Sequence, residues 1–327
     1  VVKKFISELK AGEQVISPFL VKERRVMEFR NKPGRYLHLM LGDRTGEIEA
    51  RSWEEESFWN ICQPGEILMI KGEVSSFRES LQMRIIAARA AREGEVELAE
   101  LVITAPRGAE EMLAELSELI ASMRPGLIRL TAEAVLAAPW FETFCQAPAA
   151  QSYHHNYVSG LLEHTLGLAR LAVRIAPVYP QADRDLLLLG TLIHDVGKVQ
   201  ELQAFPAVEY TDPGRLLGHI VLGVQMIDAL LSKIPGMDEE TRLVVLHLIA
   251  SHHGEYEWQS PKRPKLLEAY LLHVLDMLDA NAYKYISATS SEPGNNWSSV
   301  PKGLRNPVYL GWRRHQEGAS ELTGKEA

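Results

Sequence analysis

The sequence predicts a multidomain protein in which a small all-β barrel precedes an all-α helical bundle. Three observations lead there. Five short alternating apolar runs, separated by turn residues, fill most of the first ninety positions; a helical apolar repeat takes over near Glu110; and nine of the 11 histidines fall between His154 and His273, inside the helical half. The length of 327 residues suits two domains, each able to bury its own core.

In chain order, Val15 to Phe29, Arg35 to Leu41, Glu47 to Trp53, Ile67 to Ser75 and Gln82 to Ala88 read as strands, because Val, Ile, Leu and Met alternate with polar residues. Asn31 to Gly34, Gly42 to Gly46 and Gln63 to Gly65 carry the turn chemistry between them. From Glu110 the spacing becomes helical: Met112, Leu113, Leu116, Leu119 and Ile120 recur at three and four, and Leu127 to Leu136 continues the pattern. Further helices are expected at 157–175, 184–195, 219–232, 239–252 and 266–285. The boundaries expected are a barrel over 1–95, a linker with helices over 96–150, a bundle over 151–287 and an irregular tail over 288–327.

Composition narrows the setting. With 46% hydrophobic and 24% charged residues the chain is neither disordered nor a small stapled scaffold. Cys62 and Cys145 have no second cysteine at metal or redox spacing, which fits a reducing compartment. No apolar run of about 18 residues is expected to cross a bilayer, and the leading Val-Val-Lys-Lys-Phe lacks a signal-peptide core, so the expectation is a cytoplasmic protein without a membrane partner. The net charge of -8 argues against a phosphate-backbone partner at the scale of the whole chain. The first hundred residues, however, hold 16 Lys+Arg against 17 Asp+Glu, so the acidity lies mainly outside the predicted barrel.

The run from Tyr36 to Trp53 (YLHLMLGDRTGEIEARSW) resembles the second and third strands of OB-folds that bind single-stranded nucleic acid, with Glu54 to Cys62 as the short helix before the fourth strand. An OB-fold barrel implies an aromatic and basic face for an extended strand. The candidates for substrate binding there are Arg35, Tyr36, Arg51, Trp53, Phe77, Arg78 and Arg84. Each taken singly also reads as an ordinary surface arginine or core aromatic.

In the helical half, Glu163-His164, His194-Asp195, Gly218-His219, His252-His253 and Asp276 each sit in a separate predicted helix, spaced by 23 to 33 residues. Facing helices of a bundle build metal sites from such inward groups. One buried histidine is usually satisfied by hydrogen bonds; this many titratable groups in apolar helices would be costly without a cation. The order His164, His194-Asp195, Asp276 resembles the HD phosphohydrolase superfamily, and His219 with His252-His253 matches the further ligands of its dinuclear branches. Together with an OB-like domain and the segment HHNYVSGLLEHT from His154 to Thr165, the chain is similar to the YhaM-type exoribonucleases, which degrade from the 3′ end. Ser159 departs from that pattern, which has a second glycine there. The Gly-Tyr-Pro signature of cyclic-di-GMP phosphodiesterases is absent.

The resemblance implies an all-α HD domain holding two divalent ions. His164, His194, Asp195 and Asp276 would take the first and His219, His252, His253 and a bridging Asp195 the second. Mixed imidazole and carboxylate donors suit Mn, Fe, Co or Zn better than Mg or Ca, and the family favours manganese. A hydroxide shared by the two ions would attack the terminal phosphodiester in line and release nucleoside 5′-monophosphates. Asp195 and Lys198 are the catalytic candidates, Lys198 as a charge-stabilising cation or else a solvated lysine near a helix end. His154 and His155 are candidates for orienting substrate. Asp279, three residues after Asp276, is the substitute ligand if the helical register differs, while Glu163, His247 and His273 read as structural or exposed. The leading expectation is a metal-dependent 3′-to-5′ exonuclease on single-stranded RNA, with DNA included. A phosphohydrolase of small or cyclic nucleotides and a non-enzymatic single-strand nucleic-acid-binding regulator are the alternatives. A homo-oligomer is left open.

Overall fold

The alternation in the first ninety residues closes on itself. In the computed structural model, β1 (Gln14–Glu28), β2 (Arg35–Asp43), β3 (Gly46–Ser52), β4 (Ile67–Phe77) and β5 (Ser80–Ala90) form a closed barrel in the order β1-β2-β3-β5-β4. The structure describes residues 3–29, 33–53, 58–77, 80–92, 94–97, 100–102, 104–150, 157–203, 208–290, 296–301 and 303–312. Every neighbouring pair is antiparallel except β3 and β5, where Glu49, Ala50 and Arg51 face Gln82, Met83 and Arg84 in parallel. This is the five-stranded OB-fold barrel. Closure depends on β1, which pairs with β4 through its first half and with β2 through its second. A register shift between Val21 and Glu23 bends it between the two partners.

Strand periodicity decides what the barrel buries. Leu37, Leu39 and Leu41 of β2 and Ile48 and Ala50 of β3 point inward with Phe19, Leu68, Ile70 and Met83. Tyr36, His38, Glu49 and Arg51 occupy the alternate positions and are only half-buried. At the β2–β3 turn the buried Asp43 carboxylate accepts from the backbone N–H of Ile6 and of Thr45, each at 2.8 Å, and from the Thr45 hydroxyl at 2.6 Å. The Lys3 ammonium stands 3.3 Å from it. A buried carboxylate is tolerable there because every oxygen is answered. Of the short helix expected over 54–62, residues 54–57 lie outside the described residues, and Trp59–Ile61 forms one 3₁₀ turn.

The helices are α1 (Ala109–Ala121), α2 (Leu127–Leu136), α3 (Phe141–Gln146), α4 (Gly160–Ile175), α5 (Arg184–Ile193), α6 (Lys198–Glu201), α7 (Asp212–Leu231), α8 (Glu239–Ser251) and α9 (Leu267–Ser290). Met112, Leu116 and Ile120 of α1, Val135 of α2 and Phe144 of α3 belong to the same buried cluster as Leu161, Leu188 and Ile227. The segment expected as linker and helices thus contributes core to the bundle. A two-stranded hairpin, β6 (Leu202–Gln203) with β7 (Glu209–Tyr210), and the helices α3 and α6 were not expected; all are too short for a repeat to show. α9 runs through Ser290, past the expected end at Tyr285, and beyond it Trp297 and Tyr309 pair across an isolated bridge with ring centroids 5.1 Å apart.

α7 corrects the expectation about apolar runs: it is the one described helix long and apolar enough to cross a membrane by length and composition. It is interrupted at Gly218 (φ 72°, ψ 159°), and Ile220, Leu222 and Ile227 bury against the bundle. The break explains why a helix beginning at His219 was expected: the regular repeat starts there.

The Ser159 departure also has a physical reading. Ser159 stands ahead of α4 with φ 64° and ψ 13°, the left-handed region that glycine adopts freely and other residues adopt at a cost of about 1–2 kcal/mol. Ser159→Gly is therefore expected to raise stability by about 0.5–1 kcal/mol once the greater freedom of glycine in the unfolded chain is subtracted. A urea denaturation midpoint that fell in this variant would refute that reading.

Candidate metal centre

Each helix that bears a candidate ligand is held in place by ordinary helix chemistry. α4 buries Leu161, Leu162, Leu168 and Ala169, and His164 shares that buried surface. α5 is apolar on nearly all sides, hence enclosed, and Asp183 caps it by accepting from the N–H of Asp185 and Leu186. Its C-terminal end delivers His194 and Asp195. Gly197 follows because α7 passes too close for any side chain: a Cβ there would stand 1.9 Å from the carbonyl oxygen of His219. α8, capped by Asp238, ends at the His252-His253 pair. Gly254 (φ 79°) turns the chain away where a Cβ would collide with the His273 ring at 2.3 Å. α9 contributes Asp276 and Asp279, one turn apart on a single face.

These elements bring all seven expected ligands together. His164 Nε2 lies 3.3 Å from His194 Nε2 and 3.3 Å from Asp276 Oδ1, and Asp195 Oδ2 lies 3.3 Å from His194 Nε2. On the other side, donor atoms of His219, His252 and His253 lie within 4.8 Å of one another. Asp195 Oδ1 is 3.5 Å from His219 Nε2 and 3.7 Å from His252 Nε2. The two oxygens of one carboxylate therefore face two separate donor clusters.

All five imidazoles are turned the same way. Nδ1 of His194, His252 and His253 meets the carbonyl oxygens of Thr191, Ile249 and Trp258 at 3.0, 2.8 and 2.7 Å. Nδ1 of His164 meets Asp279 Oδ2 at 2.8 Å and Nδ1 of His219 meets Glu201 Oε1 at 3.1 Å. An acceptor at Nδ1 fixes the proton there and leaves the Nε2 lone pair directed at the centre, which is how metal-binding histidines are oriented. Asp195 Oδ1, His219 Nε2 and His252 Nε2 are buried with no hydrogen-bond partner. Orphaned acceptors are costly in a dry interior, and a divalent cation is the group that would satisfy these three together. The donor set and its orientation fit a metal.

Charge supports the same conclusion. Burial, together with the neighbouring imidazoles, holds His252 well below the usual histidine range; burial and His219 hold His253 down as well. Both stay neutral and able to donate a lone pair. Burial also works against the charged Asp195, but Lys198 and His194 outweigh it and keep the carboxylate ionised. Asp276 is likewise held low, by His164 against the burial effect. Burial disfavours a charged His164, yet Asp276 and Asp279 prevail and raise it to about 9. A cation among these groups would take the place of that proton.

Lys198 stands with its Nζ 2.7 Å from Asp195 Oδ2, so the expected catalytic pair is in direct contact. Two clefts open beside the centre, one of about 390 Å³ reached past His219 and Tyr210, the other of about 410 Å³ reached past Asp276 and Lys284; Lys198, His253 and Trp258 border both. Sequence reasoning missed Glu201, which also accepts from the His219 backbone N–H at 3.0 Å, and it gave Asp279 no anchoring role. Asp279 carried a signal, its one-turn spacing from Asp276. Glu201 carried none, being 18 residues from His219 across the hairpin.

On the barrel, Arg51 and Arg84 are register partners and His38 faces Arg51 from β2. Arg51 pairs with Glu49 at 3.1 Å and Arg84 with Glu73 at 3.6 Å, half-exposed pairs of the kind worth roughly 0–1 kcal/mol that a phosphate can displace. Trp53 and Arg84 border a groove of about 300 Å³ with Gln14 and Glu73. The Tyr36 ring packs on Phe29 at 5.2 Å, and Arg35 is exposed at the start of β2. Phe77 ends β4, but its side chain, like Arg78, His154 and His155, lies outside the described residues.

The HD domain family profile matches residues 161–281, the stretch that carries every candidate ligand above. A 3′-5′ exoribonuclease YhaM of Geobacillus sp. (strain WCH70) is 37% identical over 284 residues, 85% of this chain and 85% of that one. The protein of the same name in Bacillus subtilis (strain 168) is 37% identical over 273 residues, 82% of this chain and 85% of that one. The chain belongs to the YhaM 3′-5′ exoribonuclease family. It is an HD-domain hydrolase. Among solved structures, the second OB-fold domain of replication protein A from Methanococcus maripaludis aligns at 21% identity over 29% of this chain and 100% of that one, with a TM-score of 0.24; the strand order alone carries the barrel assignment.

Glu201 offers a direct check on how the centre is held. Glu201→Gln is expected to weaken metal binding by about 10–100-fold while the circular dichroism spectrum stays that of the parent. Metal titration of the stripped protein reads this, and an unchanged affinity would show that His219 needs no such anchor. Removing metal with a chelator is expected to lower the melting temperature, by an amount that grows with the free metal concentration it is compared against.

Proposed function

We propose that this chain is a two-metal exonuclease that shortens single-stranded RNA from its 3′ end and releases nucleoside 5′-monophosphates. The observation that supports it best is Asp195, whose two oxygens face two donor clusters of three or more groups each. His164, His194, Asp195 and Asp276 would hold one cation and His219, His252, His253 and Asp195 the other; the mixed nitrogen and oxygen donors suit Mn, Fe, Co or Zn, and the family resemblance favours manganese among them. Bound divalent ions supply Lewis-acid charge to the phosphoryl oxygens and lower the pKa of a water.

The residues of the chain do the rest. In hydrolysis the water oxygen bonds to phosphorus as the bond to the O3′ of the penultimate nucleotide breaks, and that oxygen takes up a proton. Burial disfavours a charged Lys198, but Asp195 outweighs it and raises the lysine above its usual range. Lys198 therefore stays an ammonium and acts by stabilising phosphoryl charge rather than by giving up a proton. The centre lies in buried surroundings, where such charge interactions are stronger than in water.

The barrel groove at Trp53 and Arg84 is the proposed hold on the strand upstream of the cut, through stacking and phosphate contacts, with the remaining barrel candidates around it. A reducing cytoplasmic setting belongs to the proposal, since Cys62 and Cys145 are both free and buried. DNA is a further substrate class under the same chemistry.

The decisive measurement is digestion of a 5′-labelled single-stranded RNA by manganese-loaded protein. A ladder receding from the 3′ end with mononucleotide product is expected, and Asp195→Asn is expected to lose at least 10³-fold in rate, about 4 kcal/mol, in keeping with removal of a charged group that organises the reacting centre. Turnover of cyclic or free nucleotides with the RNA left intact would replace this reading by the small-nucleotide hydrolase.

A further inference from the structure

Trp258 is placed in an unusual way for a large apolar side chain. It is 50% exposed, yet it borders both clefts beside the metal centre. It ends a single 3₁₀ turn, Tyr256–Trp258, and the next residue, Gln259, adopts φ 65° and ψ 22°. Among the described residues only Ser159 and Gln259 are non-glycine positions with positive φ. Such strain persists where the surroundings demand a particular direction of the chain, and it concentrates at functional sites. The surroundings here include a candidate ligand: the Trp258 carbonyl oxygen accepts from Nδ1 of His253 at 2.7 Å, while its indole leans on the ring of His273, at 5.8 Å between centroids. The backbone that orients a metal ligand thus also fixes where the indole stands.

The 410 Å³ cleft bounded by Trp258 falls at the small end of the roughly 300–1,000 Å³ range of ligand pockets. Asp195, Lys198 and His253 line it on the side of the centre, and α9 lines the rest, where Met277, Asn281 and Lys284 recur at four and three beside Asp276. Lys284 Nζ is 2.9 Å from Asn281 Oδ1, so this cation meets an amide oxygen rather than a carboxylate. One cleft therefore joins an exposed aromatic plane, a neutral amide with an ammonium, and the carboxylate ligands of the metal centre.

We propose that this cleft is the subsite for the 3′-terminal nucleotide, its base against the Trp258 indole and its ribose hydroxyls against Asn281 and Lys284. The proposal rests on the exonuclease reading and adds what selects the strand end. A nucleotide held this way presents its 5′-phosphorus to the metal centre. A free terminal ribose is what the amide and ammonium can engage, and stacking accepts any base, so the subsite selects an end rather than a sequence.

The test uses metal-loaded full-length protein and calorimetric titration with adenosine 5′-monophosphate, with metal content measured for every variant. Trp258→Ala is expected to weaken binding about fivefold or more, the scale of one lost base stack, while Trp258→Phe keeps most of the affinity. Ribose 5-phosphate, which has no base, is expected to bind the parent and Trp258→Ala alike. Asn281→Ala, on a different element, is expected to erase the preference for adenosine 5′-monophosphate over its 2′,3′-dideoxy analogue. Equal weakening of both baseless and base-bearing ligands in Trp258→Ala, or no weakening of either, overturns the subsite, as does a parent with no preference between the two sugars. If RNA is shortened and Trp258→Ala binds the monophosphate as the parent does, only the subsite falls. If the binding pattern holds and RNA is not shortened, only the exonuclease reading falls.

Discussion

A carboxylate buried among five imidazoles is the constraint on which the helical half depends. Removing an ionised carboxylate from water costs several kcal/mol unless strong partners replace the solvent, and Asp195 is 3% exposed. Its partners come from α5, α6, α7 and α8, while Asp276 on α9 and His164 on α4 complete the ring of donors. Those helices could not move apart without stranding charge. The geometry is also protected from collapse: where α7 crosses the chain after Asp195 there is room for a glycine hydrogen and nothing larger.

A second layer of groups keeps the donors aimed. Three of the five histidines are oriented by carbonyl oxygens within their own turns or the next loop, an arrangement that follows from helix ends leaving carbonyls free. The other two need carboxylates, Asp279 and Glu201, brought from elsewhere in the chain. The hairpin after Glu201 and the break at Gly218 thereby acquire a purpose: the first ends α6 where Glu201 can turn back, and the second starts a new helical run at the residue Glu201 holds. Irregular backbone stands where the centre needs it, and regular helix elsewhere.

Much of this was legible beforehand, for reasons that can be named. Leu37, Leu39 and Leu41 alternate with outward residues because a strand has a period of two, so the barrel could be read from its core alone. His194-Asp195 and His252-His253 stood out because doublets of titratable groups in apolar helices have few stable explanations. Contacts that depend on fold-back were illegible: Glu201 lies in an undistinguished four-residue helix, and Trp258 follows a histidine pair without any repeat to mark it. Ser159 was intermediate. Its departure from the glycine that the family resemblance implies was visible, but the left-handed backbone that gives the departure a cost was not.

The contact between His164 and Asp279 spans 115 positions of the chain. Closing so long a loop early is entropically expensive, and topologies built on such separations assemble late. The buried core of the barrel is drawn from residues 6–88, whereas the first donor ring is incomplete until α9 has been synthesised. The residues of the barrel core are therefore all synthesised well before the last donors of the helical half, so a nascent chain has every part of the barrel in hand while its donor cluster still lacks Asp276 and Asp279.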